Sequence, residues 1–299
     1  MKLLQLTAFK QIIFGLPLMI SGVLLGIYSH PEAVEFNFKR GVLIFLAFLF
    51  ARSSGMTFNQ LIDRKIDEKN LRTQNRLIPS GGLSPRNAAL VAWTTLIAFI
   101  LCCQMLGKTC FFLSFFAAFL LIFYSFTKRF TSLCHFVLGC VHLLSPLMAA
   151  AACTHHLSFP AFVLGIASFC LISGNDIIYA IQDVTFDKGH LLHSIPVRIG
   201  EAESIKLATI LHVATCLLLG CLGLSISSVF LTLSLPLLTG FILWSTRKFL
   251  FKKDVFHFFF WSNALVSSII LLLILIVIIP IPLRKLGCRL RQSSGFERL

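Results

Sequence analysis

The chain contains 299 residues, of which 57% are hydrophobic and only 13% are charged. Ordinary globular chains are about 45–50% apolar and about 25% charged, so this composition excludes a soluble globular protein and predicts an all-α polytopic membrane protein. The net charge of +14 does not indicate nucleic-acid binding, because Lys and Arg lie mostly in short connections between apolar runs, where the positive-inside rule expects them.

The apolar residues form about nine runs, each long enough to cross a hydrocarbon core roughly 30 Å thick. The boundaries at Gly107 and Ser227 are weakly marked, so eight or ten spans stay open. The first run has a basic start but no evident small-residue cleavage site, so we expect a retained helix rather than a signal peptide. We expect one domain over 1–299, with 12–281 in the membrane and a basic tail at 282–299. The predicted spans are 12–28, 41–62, 87–105, 109–126, 132–153, 159–182, 205–225, 229–244 and 257–281.

The second span ends in NQLIDRKID, which contains a first acidic motif. Asn59, Asp63 and Asp67 are spaced by four, so on a helix they lie along one face over two turns. Three oxygen-bearing side chains with no partner in the row itself repel one another unless a cation joins them. Carboxylate and amide oxygens are the ligands that Mg²⁺ prefers, usually together with substrate phosphates, although two acids on a solvated helix end would have the same spacing.

Basic residues lie on both sides of this motif. Arg52 is seven residues before Asn59 and on the same helix face, and a charge inside a membrane helix is by default a functional hypothesis. We expect Arg52 to hold an anionic group of a substrate; snorkelling towards the membrane surface, or a structural ion pair such as one with Asp176, is the alternative. Arg72 and Arg76 follow in the loop; positive-inside topology could explain them, but Arg binds phosphate bidentately, which makes them candidate diphosphate contacts.

A second acidic motif ends the sixth span, in NDIIYAIQDVTFD. Asp183 and Asp187 are again four residues apart, and Asp176 lies one heptad before Asp183 on roughly the same face. Two helices that each end in such a pair can face each other across a pocket and hold divalent ions, which in turn hold a diphosphate. The two motifs together are far more specific than either alone, because the chain has only 12 Asp and Glu.

Charge also predicts the orientation of the chain. With the N-terminus inside, both acidic motifs lie at the cytoplasmic surface, and the outer loops hold only Lys39, Arg40 and Lys108. An odd number of spans puts the basic tail at 282–299 outside, which the same rule does not favour.

These residues resemble the UbiA-type intramembrane aromatic prenyltransferases, over most of the chain and in the same order. The family's first motif is Asn-x-x-x-Asp-x-x-x-Asp, here 59–67, followed by an Arg-Thr-x-x-Arg-x-x-Pro-Ser-Gly loop, here 72–81. Its second motif is Tyr-Ala-x-x-Asp-x-x-x-Asp, here 179–187. A Tyr-Ser-x-x-Lys element between the motifs is matched by Tyr124, Ser125 and Lys128.

The resemblance implies nine transmembrane helices around a central cavity, in a multi-pass protein of the bacterial inner membrane whose active site faces the cytoplasm. It implies transfer of a polyprenyl chain from polyprenyl diphosphate to an aromatic carboxylic acid, with Mg²⁺ as cofactor and the lipid bilayer as the medium.

The resemblance also assigns roles to individual residues. Arg52 corresponds to the residue that meets the acceptor's carboxylate, and Asp176 to an inner acid near the reacting carbons. The expected metal ligands are Asn59, Asp63, Asp67, Asp183 and Asp187; the diphosphate contacts are Arg72, Arg76 and Lys128; the acceptor contacts are Arg52, Tyr124 and Ser125; and the catalytic acids are Asp63, Asp67, Asp176, Asp183 and Asp187.

The acceptor itself stays open at this point. The stretch at 189–200 resembles both the 4-hydroxybenzoate branch of the family and a menaquinone branch that prenylates a dihydroxynaphthoate. Gln60 stands where many members have Asp or Arg, and Leu77 and Ile78 stand where Pro-Leu is common. Neither departure falls on a predicted ligand.

Two other classes of protein use related features. A transporter could line a substrate path with Arg52, Asn175 and Asp176, but transporters usually have their ion sites near the midplane at broken helices. A soluble isoprenyl chain synthase also uses paired Asp motifs, and the lipid-compatible spans exclude it. Acidic pairs at helix ends on one surface favour an enzyme acting on a diphosphate.

Overall fold

The computed structural model describes residues 12–248 and 254–278, and within these ranges the secondary structure is helical. The predicted all-α fold is therefore confirmed. The helices are α1 Ile12–Ser29, α2 Phe38–Asp67, α3 Pro85–Leu106, α4 Lys108–Thr127, α5 Cys134–Thr154, α6 Phe159–Ala180, α7 Val184–Gly189, α8 Ile195–Ile199, α9 Glu201–Ser225, α10 Val229–Thr246 and α11 Val255–Ile278, with short 3₁₀ turns at Pro31–Ala33 and Ile181–Asp183.

Nine helical segments in the described ranges are long and apolar enough to cross a membrane. Eight are single helices, and the ninth, Phe159–Gly189, joins α6, the 3₁₀ turn and α7. The prediction of nine spans is thus confirmed over the eight or ten that were left open. The predicted tail at 282–299 lies outside the described residues.

Several of these helices begin where the sequence supplies a capping side chain. Ser84, Ser158, Ser194 and Ser228 each accept a hydrogen bond from a backbone N–H in the first turn. A proline follows the first three of these serines within the first two helical positions. Proline suits this position because the N–H that it lacks would have no partner inside the helix. Short polar caps therefore fix the first residues of three membrane-spanning helices and of the short helix α8.

Small residues let the helices approach closely around the core. A Cβ atom at Gly22 of α1 would lie 2.2 Å from the carbonyl oxygen of Pro146 in α5, and one at Gly26 would lie 2.7 Å from the Cα of Ala150. Close contact of this kind is what holds helices together where lipid is as apolar as the side chains. Large apolar residues such as Phe112 and Leu237 are left exposed on the outside of the bundle, as a lipid-facing surface requires.

The connections bring both acidic motifs to one end of the bundle. Arg72 and Asn70, in the loop after α2, both contact Asp183 beyond the end of α6. Lys128, at the end of α4, contacts Asp63 near the end of α2. The short turn at Gly107, which joins α3 to α4, therefore lies at the opposite end.

This arrangement predicts the outcome of cysteine labelling with an impermeant reagent, in a background from which the ten native cysteines are removed. Ser80→Cys and His193→Cys, both at exposed positions, should be labelled from the same side of the membrane, and Lys108→Cys from the other side. Ser194 is unsuitable because it is buried and caps α8. Labelling of Ser80→Cys and His193→Cys from opposite sides would contradict the fold.

Candidate active site

Asp63 is the most enclosed acid of the first motif. Its side chain is 2% exposed, and it accepts Lys128 Nζ at 2.7 Å on one oxygen and Arg129 Nη2 at 2.9 Å on the other. Arg129 also donates to the backbone oxygens of Ser125 and Ile62, which fixes it across the gap between α4 and α2. A buried carboxylate requires such partners, because an uncompensated buried charge is strongly destabilising.

The other members of the first motif are also engaged. Asp67 Oδ2 accepts Arg76 Nη1 at 2.9 Å, which ties the following loop back onto the end of α2. Asn59 Nδ2 donates to Asp63 Oδ2 at 3.3 Å. The expectation that the row contains no partner of its own is therefore wrong: the amide at the first position can donate to the carboxylate one turn later.

The second motif is joined to the same loop. Arg72 binds Asp183 through two nitrogens, with Nε 3.0 Å from Oδ1 and Nη2 2.5 Å from Oδ2. Asn70 Nδ2 also donates to Asp183 Oδ1 at 3.2 Å, and Arg72 Nη1 donates to the hydroxyl oxygen of Tyr179 at 2.8 Å. Burial alone would lower the pKa of Arg72, but the hydrogen bond and charge of Asp183 outweigh it and raise that pKa above its ordinary value.

The second motif does not lie at the end of one continuous α-helix, as the spacing suggested. Helix α6 ends at Ala180, residues Ile181–Asp183 form a 3₁₀ turn, and Asp187 belongs to the separate helix α7. The heptad relation between Asp176 and Asp183 is therefore interrupted, because a 3₁₀ turn winds more tightly than an α-helix. Asp176 and Asp183 consequently do not follow one another along a single helix face.

Behind the acids lies a mostly apolar cavity of about 270 Å³. The end of the cavity next to the motifs is lined by Asn59, Arg76, Asp176 and Tyr179. The end near the turn at Gly107 is lined by Cys103, Leu106 and Cys110. The cavity thus reaches Asn59 and Arg76 beside the acidic motifs at one end and continues between the helices towards the other side of the bundle.

Arg52 and Tyr124 also line this cavity. The guanidinium carbon of Arg52 lies 5.4 Å from the centre of the Phe14 ring, within the range of a cation–π contact. Ser125, predicted alongside them, is 1% exposed and is not part of the cavity lining. The structure therefore brings Arg52 and Tyr124 together at one cavity and leaves Ser125 outside it.

Asp176 has a partner that sequence reasoning missed. His135 Nδ1 lies 2.7 Å from Asp176 Oδ2, and the backbone N–H of Ile195 points to His135 Nε2 at 3.5 Å. If Nε2 accepts from Ile195, Nδ1 carries the proton and donates to Asp176. His135 is 3% exposed. It thus contacts Asp176 from the protein interior, while Asp176 itself lines the cavity.

The comparisons with known proteins decide the family. The family model for UbiA prenyltransferases matches residues 15–269. The chain belongs to the UbiA prenyltransferase family. Family membership confirms the resemblance carried by the two motifs and gives no support to the transporter alternative.

Curated relatives of this UbiA-family chain include the 4-hydroxybenzoate octaprenyltransferase of Pseudomonas putida (strain W619), which is 33% identical over 237 residues that cover 75% of this chain and 78% of that protein. The protein of the same name from Francisella tularensis subsp. mediasiatica (strain FSC147) is 35% identical over 147 residues, which cover 49% of this chain and 51% of the relative. The chain thus spans about half the length of the Francisella relative that it matches.

Solved structures of the UbiA family share the architecture. The apo structure of a UbiA homolog from Aeropyrum pernix K1 has a TM-score of 0.78 and 25% identity, and the match covers 89% of this chain and 96% of that one. A UbiA homolog from Archaeoglobus fulgidus, bound to GPP and Mg²⁺, has a TM-score of 0.72 at 19% identity and covers 93% and 99% of the two chains. The second likeness shows the fold alone.

The ion pairs at Asp63 predict a stability effect in the ligand-free protein. Asp63→Asn keeps the shape of the side chain but leaves Lys128 and Arg129, each about a third exposed, facing each other without a carboxylate. We expect a cost of about 1–3 kcal/mol, below that of a fully buried pair because of solvent screening, and a melting temperature lower by about 3 °C or more.

The matched control is Glu203→Gln. Its ion pair with Lys206 at 2.6 Å is largely exposed, so the melting temperature should move by about 1 °C at most. Equal melting temperatures for Asp63→Asn and Glu203→Gln would show that the cluster does not stabilise the bundle.

Proposed function

We propose that this protein transfers a polyprenyl chain from polyprenyl diphosphate to an aromatic carboxylic acid at the membrane surface. The observation that carries the proposal is the pairing of Asp63, Asp67 and Asp183 with basic side chains next to an apolar cavity, which Arg76 also lines. An anionic headgroup needs the basic residues, and a lipid tail needs the cavity. Both lie side by side here.

The basic residues that hold the acids are the same ones that suit a diphosphate. Arg72 and Arg76 can each offer a planar fork of N–H donors to phosphate oxygens, and Lys128 offers a compact charge at the end of α4, beside Asp63. When the diphosphate enters, these side chains exchange carboxylate oxygens for phosphate oxygens. Arg129 can stay on Asp63, because two backbone oxygens also hold it.

The oxygen-bearing side chains of the two motifs suit Mg²⁺. The ion would be held by Asn59, Asp63, Asp67, Asp183 and Asp187. Their amide and carboxylate oxygens are the ligands that Mg²⁺ prefers. Among the described residues no group of three His, Cys, Asp or Glu side chains lies close enough together to hold a metal ion. In that position the ion would supply positive charge to the leaving diphosphate, which would help the allylic carbon–oxygen bond to ionise.

The aromatic acceptor would sit deeper in the cavity. Arg52 precedes Asn59 by seven residues, which is about 10 Å of helix rise, and its guanidinium can hold a ring carboxylate. The reacting ring carbon then lies between Arg52 and the diphosphate, on the side of Asp176. Asp176, oriented by His135, can take the proton that the ring loses when the new carbon–carbon bond has formed.

The apolar lining of the cavity protects the reaction. Helix faces that exclude water prevent it from adding to the allylic cation before the acceptor does. The relatives' names favour 4-hydroxybenzoate as the acceptor, in the manner of ubiquinone synthesis, and a dihydroxynaphthoate of the menaquinone branch is the second candidate. The positive-inside rule supports a cytoplasmic active site. Assays of purified protein with labelled prenyl diphosphate against both acids test the proposal and choose between them.

The first prediction for the reaction concerns the two motifs. Asp63→Asn and Asp183→Asn should each lower turnover by about 100-fold or more, the scale expected for loss of a major electrostatic contact in the transition state. Turnover is measured at limiting Mg²⁺ with saturating acceptor, on protein shown to be monodisperse. Glu203→Gln, at the exposed pair on α9, is the control and should match the wild type. A motif variant within threefold of wild type would contradict the two-motif site.

The second prediction separates the acceptor from the donor at Arg52. Arg52→Lys keeps the charge but loses the planar fork, so the acceptor KM should rise more than the donor KM. Arg52→Leu should nearly abolish transfer while prenyl diphosphate still binds, because Arg72, Arg76 and Lys128 are unchanged. Donor binding is measured beside the acceptor kinetics for both variants. Loss of donor binding with an unchanged acceptor KM would assign Arg52 to the diphosphate instead.

A further inference from the structure

The cavity contains a second basic side chain, His142, that the proposed reaction does not yet use. His142 belongs to α5 and lines the cavity although only 8% of the residue is exposed. Within the residues that the structure describes, its ring makes one aromatic contact, with Phe14 at a centroid distance of 6.2 Å. Those residues provide no hydrogen bond to either nitrogen of the His142 ring.

Neither ring nitrogen of His142 is among the fully buried side-chain atoms that lack a partner, and the ring lines the cavity. Its nitrogens are therefore accessible from the cavity, whereas a polar side chain in a protein interior usually has a hydrogen-bond partner within the protein. His135, one heptad earlier in the same helix, has such partners in Asp176 and the backbone of Ile195. The contrast indicates that the nitrogens of His142 are left for a molecule that occupies the cavity.

The location of His142 identifies which molecule that is. Seven residues separate it from His135, so it lies on the same face of α5 and about 10 Å further along the helix axis. His135 contacts Asp176, so His142 lies farther along the bundle from the acidic motifs than Asp176 does. The same Phe14 ring that contacts His142 also lies 5.4 Å from the guanidinium carbon of Arg52, and the two basic side chains therefore share one neighbourhood of the cavity.

We infer that His142 is a second acceptor-binding residue, which holds the carboxylate of the aromatic acid together with Arg52. The inference rests on the proposed function and extends it. A carboxylate has four lone-pair sites, and a neutral imidazole has one N–H donor to add to the guanidinium fork. The aromatic acid would then bind with its carboxylate near Phe14, where Arg52 and His142 lie, and with its reacting carbon towards Asp176.

The test uses the full-length protein in lipid nanodiscs and two substitutions of His142. His142→Phe keeps an aromatic ring against Phe14 and removes both nitrogens, whereas His142→Gln keeps an N–H donor. Equilibrium binding of 4-hydroxybenzoate is measured by calorimetry in the presence of Mg²⁺ and inorganic diphosphate, beside the steady-state KM of acceptor and donor. His142→Phe should weaken acid binding about tenfold or more, the scale of a lost hydrogen bond to a charged group. His142→Gln should lose less, and donor KM should stay within about twofold.

The matched control is His212→Phe. His212 is another buried histidine, 6% exposed, but it lies on α9 and does not line the cavity, so its replacement should leave acid binding unchanged. Adding Arg52→Lys to His142→Phe should cost less than the two single effects combined, because both side chains hold one carboxylate.

The outcomes separate this inference from the function on which it rests. Acid binding by His142→Phe within twofold of wild type, or equal losses for donor and acceptor, would overturn the role of His142 while prenyl transfer stands. Wild-type protein that binds the acid through His142 but transfers no prenyl group would support the site and overturn the proposed reaction. Wild-type protein that neither binds nor prenylates 4-hydroxybenzoate or the dihydroxynaphthoate would overturn both.

Discussion

Ion pairs between the acidic motifs and basic side chains from other parts of the chain are the interactions on which the functional end of the molecule depends. Asp63 is almost fully enclosed between Lys128 and Arg129, Asp67 holds Arg76, and Asp183 holds Arg72. Carboxylates this close together repel one another, and burying them without partners would be strongly destabilising. The loop after α2 and the end of α4 must therefore fold over the motifs, which closes one end of the bundle and joins its two acidic helices.

The same pairs suit a site that must open for a charged lipid. Each basic group can move from a carboxylate to a phosphate with little change in its own electrostatic environment, and each released carboxylate can then take part in holding a metal ion. Arg72 is an example, because the contact with Asp183 keeps the pKa of Arg72 raised in spite of burial. A side chain that is firmly cationic at the membrane surface is ready for a diphosphate at any physiological pH.

Local patterns in the sequence predicted the features that depend on neighbouring residues. The apolar runs gave the nine spans, and the four-residue spacing identified Asp63, Asp67, Asp183 and Asp187. Pairings between distant parts of the chain left no such signal: His135 meets Asp176 across 41 residues and Arg129 meets Asp63 across 66. The 3₁₀ turn at Ile181–Asp183 was also missed, because the apolar and acidic periodicity continues through it. The fold was thus accessible from sequence, whereas the partners of the buried acids required the structure.

The most direct measurement is a structure of the full-length protein with Mg²⁺ and a non-hydrolysable prenyl thiodiphosphate. Arg72, Arg76 and Lys128 should lie within hydrogen-bonding distance of the diphosphate oxygens and no longer on Asp183, Asp67 and Asp63. The prenyl tail should run into the cavity that Arg52 and Tyr124 line. A diphosphate bound elsewhere, with the three ion pairs intact, would contradict the exchange of partners and with it the proposed active site.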